Sequence, residues 1–325
     1  MYSGNSGMRH HEQGLALITA VLVVAIVATV ATTLAVGEQV WFRQAQNMNS
    51  RAQAESLRRG ALNYAAILLT RDDAKIDHLG ELWAKPLPPL PVEDGMIAFA
   101  VSDAQGRFNL NNLVRKGVPS QHDILMFQRL LTSLSIDQVL SGALLDWLDK
   151  NTTVDFPGGA EDIEYLSLPQ PYRTANQALQ SVDELRLVKG FSAKVVEQLR
   201  PYVTALPAET TVNVNTAPEQ VLTALCTNLS AAALQPMLES REKQPLKEAK
   251  EFLERLPSCT PAPHPSLYGI NTGYFLVTID IRYGRLLRRT EALIERASGK
   301  PATVLWHGLP PLQFETDNES KPAQN

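Results

Sequence analysis

The first polar–apolar pattern in the chain is an unbroken apolar run. From Gln13 to Gly37 no side chain ionises, and Leu15 to Val36 reads LALITAVLVVAIVATVATTLAV. As a helix its 22 residues span about 33 Å. That matches a bilayer hydrocarbon core of about 30 Å. A buried core helix and a cleaved secretory signal are the competing readings. A secretory signal has an apolar core of about 7–15 residues and a small-residue exit, whereas this run is longer and lacks a clear A-x-A. The leader sets Arg9, His10 and His11 against Glu12, a weak orientation signal. A short N-terminus inside with the bulk exported is the easier topology.

Helical spacing continues past the apolar run. No Gly or Pro interrupts Glu38 to Arg59, and Trp41, Ala45, Met48 and Ala52 recur at helical intervals. Leu57, Ala61, Tyr64, Ala65 and Leu68 repeat the pattern. One helix over 15–70, with 15–36 crossing a membrane, would run about 84 Å. Its second half then packs on a globular head. A Pro-rich link, Pro86 to Pro91, should be stiff and extended.

Alternation replaces helical spacing in two places. Met96–Ser102 and Arg107–Asn111 flank Asp103-Ala-Gln-Gly106, which predicts a β-hairpin. Tyr274–Ile281, a turn at Arg282-Tyr-Gly284 and Leu286–Glu295 predict another, with Thr303–Trp306 as a third strand. Val277, Ile279 and Ile281 alternate with Thr278, Asp280 and Arg282, as in a half-buried antiparallel strand.

Between Leu113 and Leu267 the pattern is helical and predicts no strand. His122–Leu134 and Ile136–Lys150 are amphipathic. Ser181-Val-Asp-Glu184 and Thr216-Ala-Pro-Glu219 fit capping boxes, with Pro218 in a first turn. The expected fold class is α+β: a long N-terminal transmembrane helix, a small antiparallel sheet at 71–111 and 268–309, and a large inserted all-α domain at 112–267. A loose polar tail follows at 310–325.

Composition and charge add little until they are located. The 325 residues are 44% hydrophobic and 20% charged with a net charge of −4, which fits a folded chain with no basic surplus for nucleic acid. The acidity is local. Asp146, Asp149, Asp155, Glu161, Asp162 and Glu164 face only Lys150 within one short window.

The N-terminal residues carry a resemblance. Gly14 followed by Leu-Ala-Leu-Ile-Thr-Ala resembles the processing site of type IV pilin-like proteins. The resemblance implies cleavage after Gly14 by prepilin peptidase on the cytoplasmic side, removing leader 1–14, and methylation of the new terminus at Leu15. Those families usually begin with Phe and carry Glu at the fifth mature position; here the residues are Leu15 and Thr19. A carboxylate in lipid is costly unless paired, and in such filaments it is thought to pair with a neighbour's terminal amine. A subunit with Thr19 needs no neighbour on that side, which suits a filament tip.

Among these families the chain is similar to the large K-type minor pseudopilins of type II secretion systems. The likeness includes Phe108-Asn-Leu-Asn-Asn112, Gly158-Gly-Ala-Glu-Asp162, Tyr172-Arg-Thr-Ala-Asn176, Ser181–Gly190 and Val212-Asn-Val-Asn-Thr-Ala-Pro218. It implies a bitopic protein of the bacterial inner membrane with its bulk in the periplasm. It implies a pseudopilus tip role and, as partners, the I- and J-type minor pseudopilins, the major pseudopilin and the inner-membrane secretion platform.

Other chemistries have less to stand on. There is no G-x-S-x-G elbow, Walker A loop or H-E-x-x-H helix. Four of six histidines, His78, His122, His264 and His307, are scattered through the body. Neither an enzyme nor an organic cofactor is expected, which disfavours a membrane-anchored hydrolase. A membrane-anchored DNA-binding or uptake protein has better material, because Ser181–Phe191 and Val212–Pro218 resemble parts of SAM/helix-hairpin-helix-like units. Such units bind phosphate through backbone amides in a Gly-x-Gly hairpin. Here Phe191-Ser192 follow Gly190, and the second copy has Cys226-Thr-Asn228. The basic footprint that phosphate needs is missing, so no nucleic acid is expected.

The acidic window offers hard oxygen ligands for calcium. Counted from Asp149, EF-hand positions six and twelve fall on Val154 and Ala160, so this is not an EF-hand. Gly158 and Gly159 can fold Glu161 and Asp162 back toward Asp155. A solvated acidic loop is the other reading of these residues. The family resemblance implies calcium in the α-domain, with Asp149, Asn151, Asp155, Glu161 and Asp162 as candidate ligands. Cys226 and Cys259 lie on the exported, oxidising side and can pair, or remain two buried thiols.

Overall fold

The computed structural model describes residues 7–308, with side chains from Leu15 onward. The leader's first residues and the tail beyond Gly308 lie outside the described residues. Helix α1 runs from Gly7 to Arg71, 65 residues without a break. Leu15 to Val36 are exposed throughout and meet the length and composition of a membrane span. In that stretch Thr19, Thr29, Thr32 and Thr33 donate their hydroxyls to carbonyls three or four residues earlier. Those bonds satisfy the only polar side-chain groups of the span from within the helix.

The upper half of α1 lies on a five-stranded sheet whose strands neighbour one another in chain order. The strands are β1 (Leu90–Val92), β2 (Gly95–Asp103), β3 (Tyr274–Tyr283), β4 (Leu286–Glu295) and β5 (Thr303–Gly308). Every pairing is antiparallel. Ala54, Ala61 and Ala65 let helix and sheet approach closely, and Leu62 and Leu69 fill the seam with them. From below, Ile97, Val101, Phe275, Val277, Ile279, Ile281, Ala292 and Ile294 complete this core. The period-two pattern of β3 therefore points at α1. Trp83 seals one end, edge-to-face on Phe275 at 5.1 Å. Pro91 belongs to edge strand β1, opposite Met96, where a missing amide costs the sheet nothing.

The hairpin predicted at 96–111 does not form. β2 ends at Asp103, whose carboxylate accepts the Gln105 amide at 2.7 Å and turns the chain out of the sheet. Its ladder partner is β3, with Asp103 opposite Phe275. Phe108-Asn109 instead pairs in parallel with Val203-Thr204, and Phe108 and Leu110 are buried in the α-domain core. The hairpin at 274–295 and the third strand form as read.

The chain thus leaves the sheet at Asp103 and returns to the neighbouring strand at Tyr274. Between them lie α2 (Gln121–Ser133), α3 (Leu140–Leu148), α4 (Asp162–Leu166), α5 (Ala193–Leu199), α6 (Glu219–Leu225), α7 (Ala231–Ser240) and α8 (Glu251–Arg255). Helix α3 starts later than the expected Ile136, because Asp137 makes a turn by accepting the Val139 amide. Two-residue strands at 114–115, 118–119, 203–204 and 212–213 correct the expectation of none; runs that short carry no readable period. The core packs Met126, Leu130 and Leu131 of α2 with Leu144, Leu185, Val196, Leu222 and Phe252. Phe108 and Phe127 stack at 5.5 Å.

Asparagines, two of them buried and Asn111 half-buried, clamp the backbone of this domain. Asn111 donates to Leu179 O at 3.0 Å and accepts its N–H at 2.8 Å. Asn112 does the same for Thr210, and Asn215 for Leu246. Each replaces a missing ladder partner and satisfies two buried backbone groups. At Ser181 the capping box is present; at Thr216 it is not, since Thr216 gives its hydroxyl to Asp103 at 2.6 Å and Pro218 is the N-cap.

Candidate functional site

The acidic loop grows from the end of α3. Leu144, Leu145, Trp147 and Leu148 fix that helix in the core. Asp146 and Asp149 consequently emerge together at its C-terminus, Asp149 as the C-cap. Free carbonyls already make a helix C-terminus negative, so carboxylates placed there call for a cation. The following loop returns Asp155, whose amide donates to Asp146 at 3.0 Å. Asp146, Asp149 and Asp155 each present an oxygen within 4.8 Å of the others. Gly159 permits this fold, because a Cβ there would lie 2.3 Å from Asp146 Oδ2 and 2.4 Å from Asp155 O.

Glu161 joins them electrostatically. It is buried, and its Oε1 has no hydrogen-bond partner among the described residues. Burial, and then the charge of Asp149, push its carboxyl above the usual range. Asp146 is fully buried and is likewise raised, first by desolvation and then by Asp155 and Glu161, although the Asp155 amide opposes this. Desolvation raises Asp149 too. No Lys or Arg pairs with any of these four carboxylates among the described residues. Four acids thus share a partly dry site without a counter-charge.

Two residues picked from the sequence face other tasks. Asn151 donates its amide to Asp149 at 2.7 Å, and its own oxygen accepts from Thr153. Asp162 begins α4, accepts from Thr174 at 2.9 Å and lies 3.8 Å from Arg173. The residue missing from the sequence-derived set is Asp146. Its signal was the i,i+3 spacing to Asp149 at the end of an otherwise apolar helix.

At the other end of the molecule, Gly14 and Leu15 lie within α1. The Thr19 hydroxyl is engaged by Leu15 O at 3.1 Å and Ala16 O at 2.9 Å. In the α-domain, Cys226 at the end of α6 and Cys259 after α8 are joined by a disulfide, with Cα atoms 5.1 Å apart. The helix-hairpin-helix-like turn holds Gly190 at φ +86°, against Leu140.

A membrane-length helix that continues into a small antiparallel sheet is the build of a pilin-like subunit, and the insert between adjacent strands marks a large member of that class. Comparison with known proteins agrees. Residues 106–208 and 212–269 match the family models for protein K of the type II secretion system. Type II secretion system protein K of Pseudomonas aeruginosa is 34% identical over 290 residues, covering 85% of this chain and 86% of the relative. That of Aeromonas hydrophila is 30% identical over 321 residues, covering 90% and 96%. The solved GspK-GspI-GspJ complex of enterotoxigenic Escherichia coli matches at TM-score 0.70 and 26% identity, over 83% of this chain and 99% of the solved one. The chain belongs to the type II secretion system protein K family, the K-type minor pseudopilins.

Proposed function

We propose that this chain is a non-enzymatic minor pseudopilin that initiates or caps the periplasmic pseudopilus at its tip and so supports protein export. Prepilin peptidase cleaves after Gly14, Leu15 becomes the methylated first residue, and α1 anchors the protein in the inner membrane with its bulk in the periplasm. Its partners are the I- and J-type minor pseudopilins, then the major pseudopilin and the inner-membrane platform. The solved relative assembled with GspI and GspJ supports this reading.

The observation that carries the reading is the placement of the insert. Because the chain leaves at Asp103 and returns opposite it at Phe275, the whole α-domain sits on the far end of the sheet from the membrane segment. A subunit stacked above would collide with it. Thr19, already satisfied within its own helix, asks for no neighbour there either. The decisive experiment is co-purification of the full chain with I- and J-type minor pseudopilins. A stable ternary assembly is expected; failure of this chain to join would overturn the reading. Gly14→Ala should leave an unprocessed band on a gel, and normal processing would refute cleavage there.

The same reading includes calcium in the acidic loop. Asp146, Asp149, Asp155 and Glu161 fit it, being all-oxygen donors without a basic partner, one of them with a buried unpartnered atom. A bound cation would neutralise their mutual repulsion and hold the loop onto α3.

A further inference from the structure

We propose that the membrane-facing tip of the sheet is a docking surface for anionic phospholipid headgroups of the bilayer that α1 crosses. The inference rests on the reading of α1 as a membrane span. The tip is the β3–β4 turn, and it is tied to two neighbours. Gly284 donates its amide to Asp94 O at 2.9 Å, and its Cα faces α1 so closely that a Cβ would lie 4.0 Å from Ser50 Oγ. Since α1 passes through the bilayer below Ser50, the turn is the part of the head held nearest the lipid.

Its composition suits that place. Arg282, Arg285 and Arg288 cluster around the turn, and Arg43 lies two helical turns below Ser50 on the same stripe of α1. None of the four forms an ion pair among the described residues, unlike Arg289, which grips Asp280 at 2.6 Å, and Arg58, which grips Glu55. The carboxylates at the same end are Glu38 of α1, Glu93 and Asp94 of the β1–β2 turn, and Glu55, which Arg58 engages and whose carboxyl Arg288 also helps to lower. The arginines outnumber the free acids. Leu287 is 75% exposed and sits opposite Arg282, which also faces Met96 from the other side. Arginines interleaved with exposed apolar side chains fit the boundary between headgroup and acyl chain.

The reach is adequate. Trp41 is exposed just above the apolar run and suits the interfacial aromatic belt. From Trp41 to Ser50 the helix rises about 14 Å. A long arginine side chain and a modest tilt of α1 cover much of that gap, and the remainder is comparable to the Debye length of about 8–10 Å.

The test uses the full chain in nanodiscs of phosphatidylcholine, with or without phosphatidylglycerol. A bimane on Leu287→Cys reports quenching by headgroup-spin-labelled lipid. A second label on Val24→Cys, read with acyl-chain-labelled lipid, reports whether α1 is in the bilayer. If Val24→Cys is not quenched, the membrane reading itself fails. With α1 inserted, quenching at Leu287→Cys is expected only with phosphatidylglycerol, falling with salt. Each of Arg282, Arg285 and Arg288 replaced by Gln should weaken the contact about fivefold, while Lys replacements restore it. Equal quenching in both lipids, or no change in the triple Gln variant, overturns the proposal.

Discussion

Asp103 accepts a hydrogen bond from Asn213 at 2.8 Å, and this buried contact joins the sheet to the α-domain. The same Asn213 amide reaches Asp77 O at 3.0 Å, and Arg296 holds Asp77 at 2.6 Å. Gln105 adds bonds to Thr211 O and from Gly273 N. The two cores are thus coupled through polar groups that have no water to fall back on. Asp103→Ala takes the acceptor from one Asn213 N–H and from the Gln105 amide, and the shorter of the two bonds from the Thr216 hydroxyl, and should cost about 2–4 kcal/mol. Denaturant unfolding followed by tryptophan fluorescence should then split into two transitions. A single transition at the original midpoint would contradict the coupling.

Glu81 makes the head sensitive to pH. Burial pushes its carboxyl up to about 7, against the lowering effect of bonds from the His78 amide and Trp83 Nε1 at 2.6 Å. The folded state therefore holds this proton more tightly than the unfolded chain, whose carboxyl titrates at the ordinary 4.5. Stability gained from the proton is full below the unfolded value and is lost as pH rises through the folded one. The protein should be more stable at pH 5 than at pH 8, and Glu81→Gln should flatten that slope. Thermal melts across this range check it, with an unchanged slope in the variant as the contrary result.

Calcium should raise the melting temperature of the protein in detergent, and chelation should lower it. At a free concentration one hundred times the dissociation constant the gain is about 2.7 kcal/mol. Asp146→Asn should abolish the response, while Asp162→Asn, whose oxygens serve Thr174 and Arg173, should keep it. The reverse pattern would return the site to the residues that the sequence alone suggested.

That contrast shows where sequence reasoning stops. The apolar run, its continuation along α1 and the 274–295 hairpin were legible because their patterns are local. The inner partner of β2 was not, since that strand, β3, begins only at Tyr274 and no local signal announces so distant a pairing. The 96–111 pattern imitates a hairpin for the same reason: Asp103 and Gly106 look like turn residues but serve an exit from the sheet. Asp149, Asp155 and Glu161 could be found by composition. Asp146 could not, because inside a helix it reads as one more polar position. The asparagines at 109–112 carry no local pattern that announces their role, since the backbone groups they clamp, at Leu179 and Thr210, lie 68 and 98 residues further along the chain.

The disulfide between Cys226 and Cys259 ties the end of α6 to the loop after α8. Closing a separation of 33 residues should stabilise by about 3–4 kcal/mol in the chain-entropy model. Cys226→Ala with Cys259→Ala should lower the unfolding midpoint accordingly. Equal masses with and without reduction before alkylation would refute the bond.

Thr19 supplies the sharpest test of position within a filament. Its hydroxyl bonds Leu15 O and Ala16 O, so the residue carries no unmet demand into the lipid. Thr19→Val removes only that local bond and should leave co-purification with the I- and J-type subunits intact. Thr19→Glu places a carboxylate near the membrane segment's start, where the cost is smaller than at the bilayer centre, about 2.5–3.5 kcal/mol, but is unrelieved unless a subunit ahead offers its amine. A tip subunit has none ahead. The Glu variant should therefore assemble poorly and secrete poorly, whereas undiminished secretion would mean that another subunit sits in front of this one.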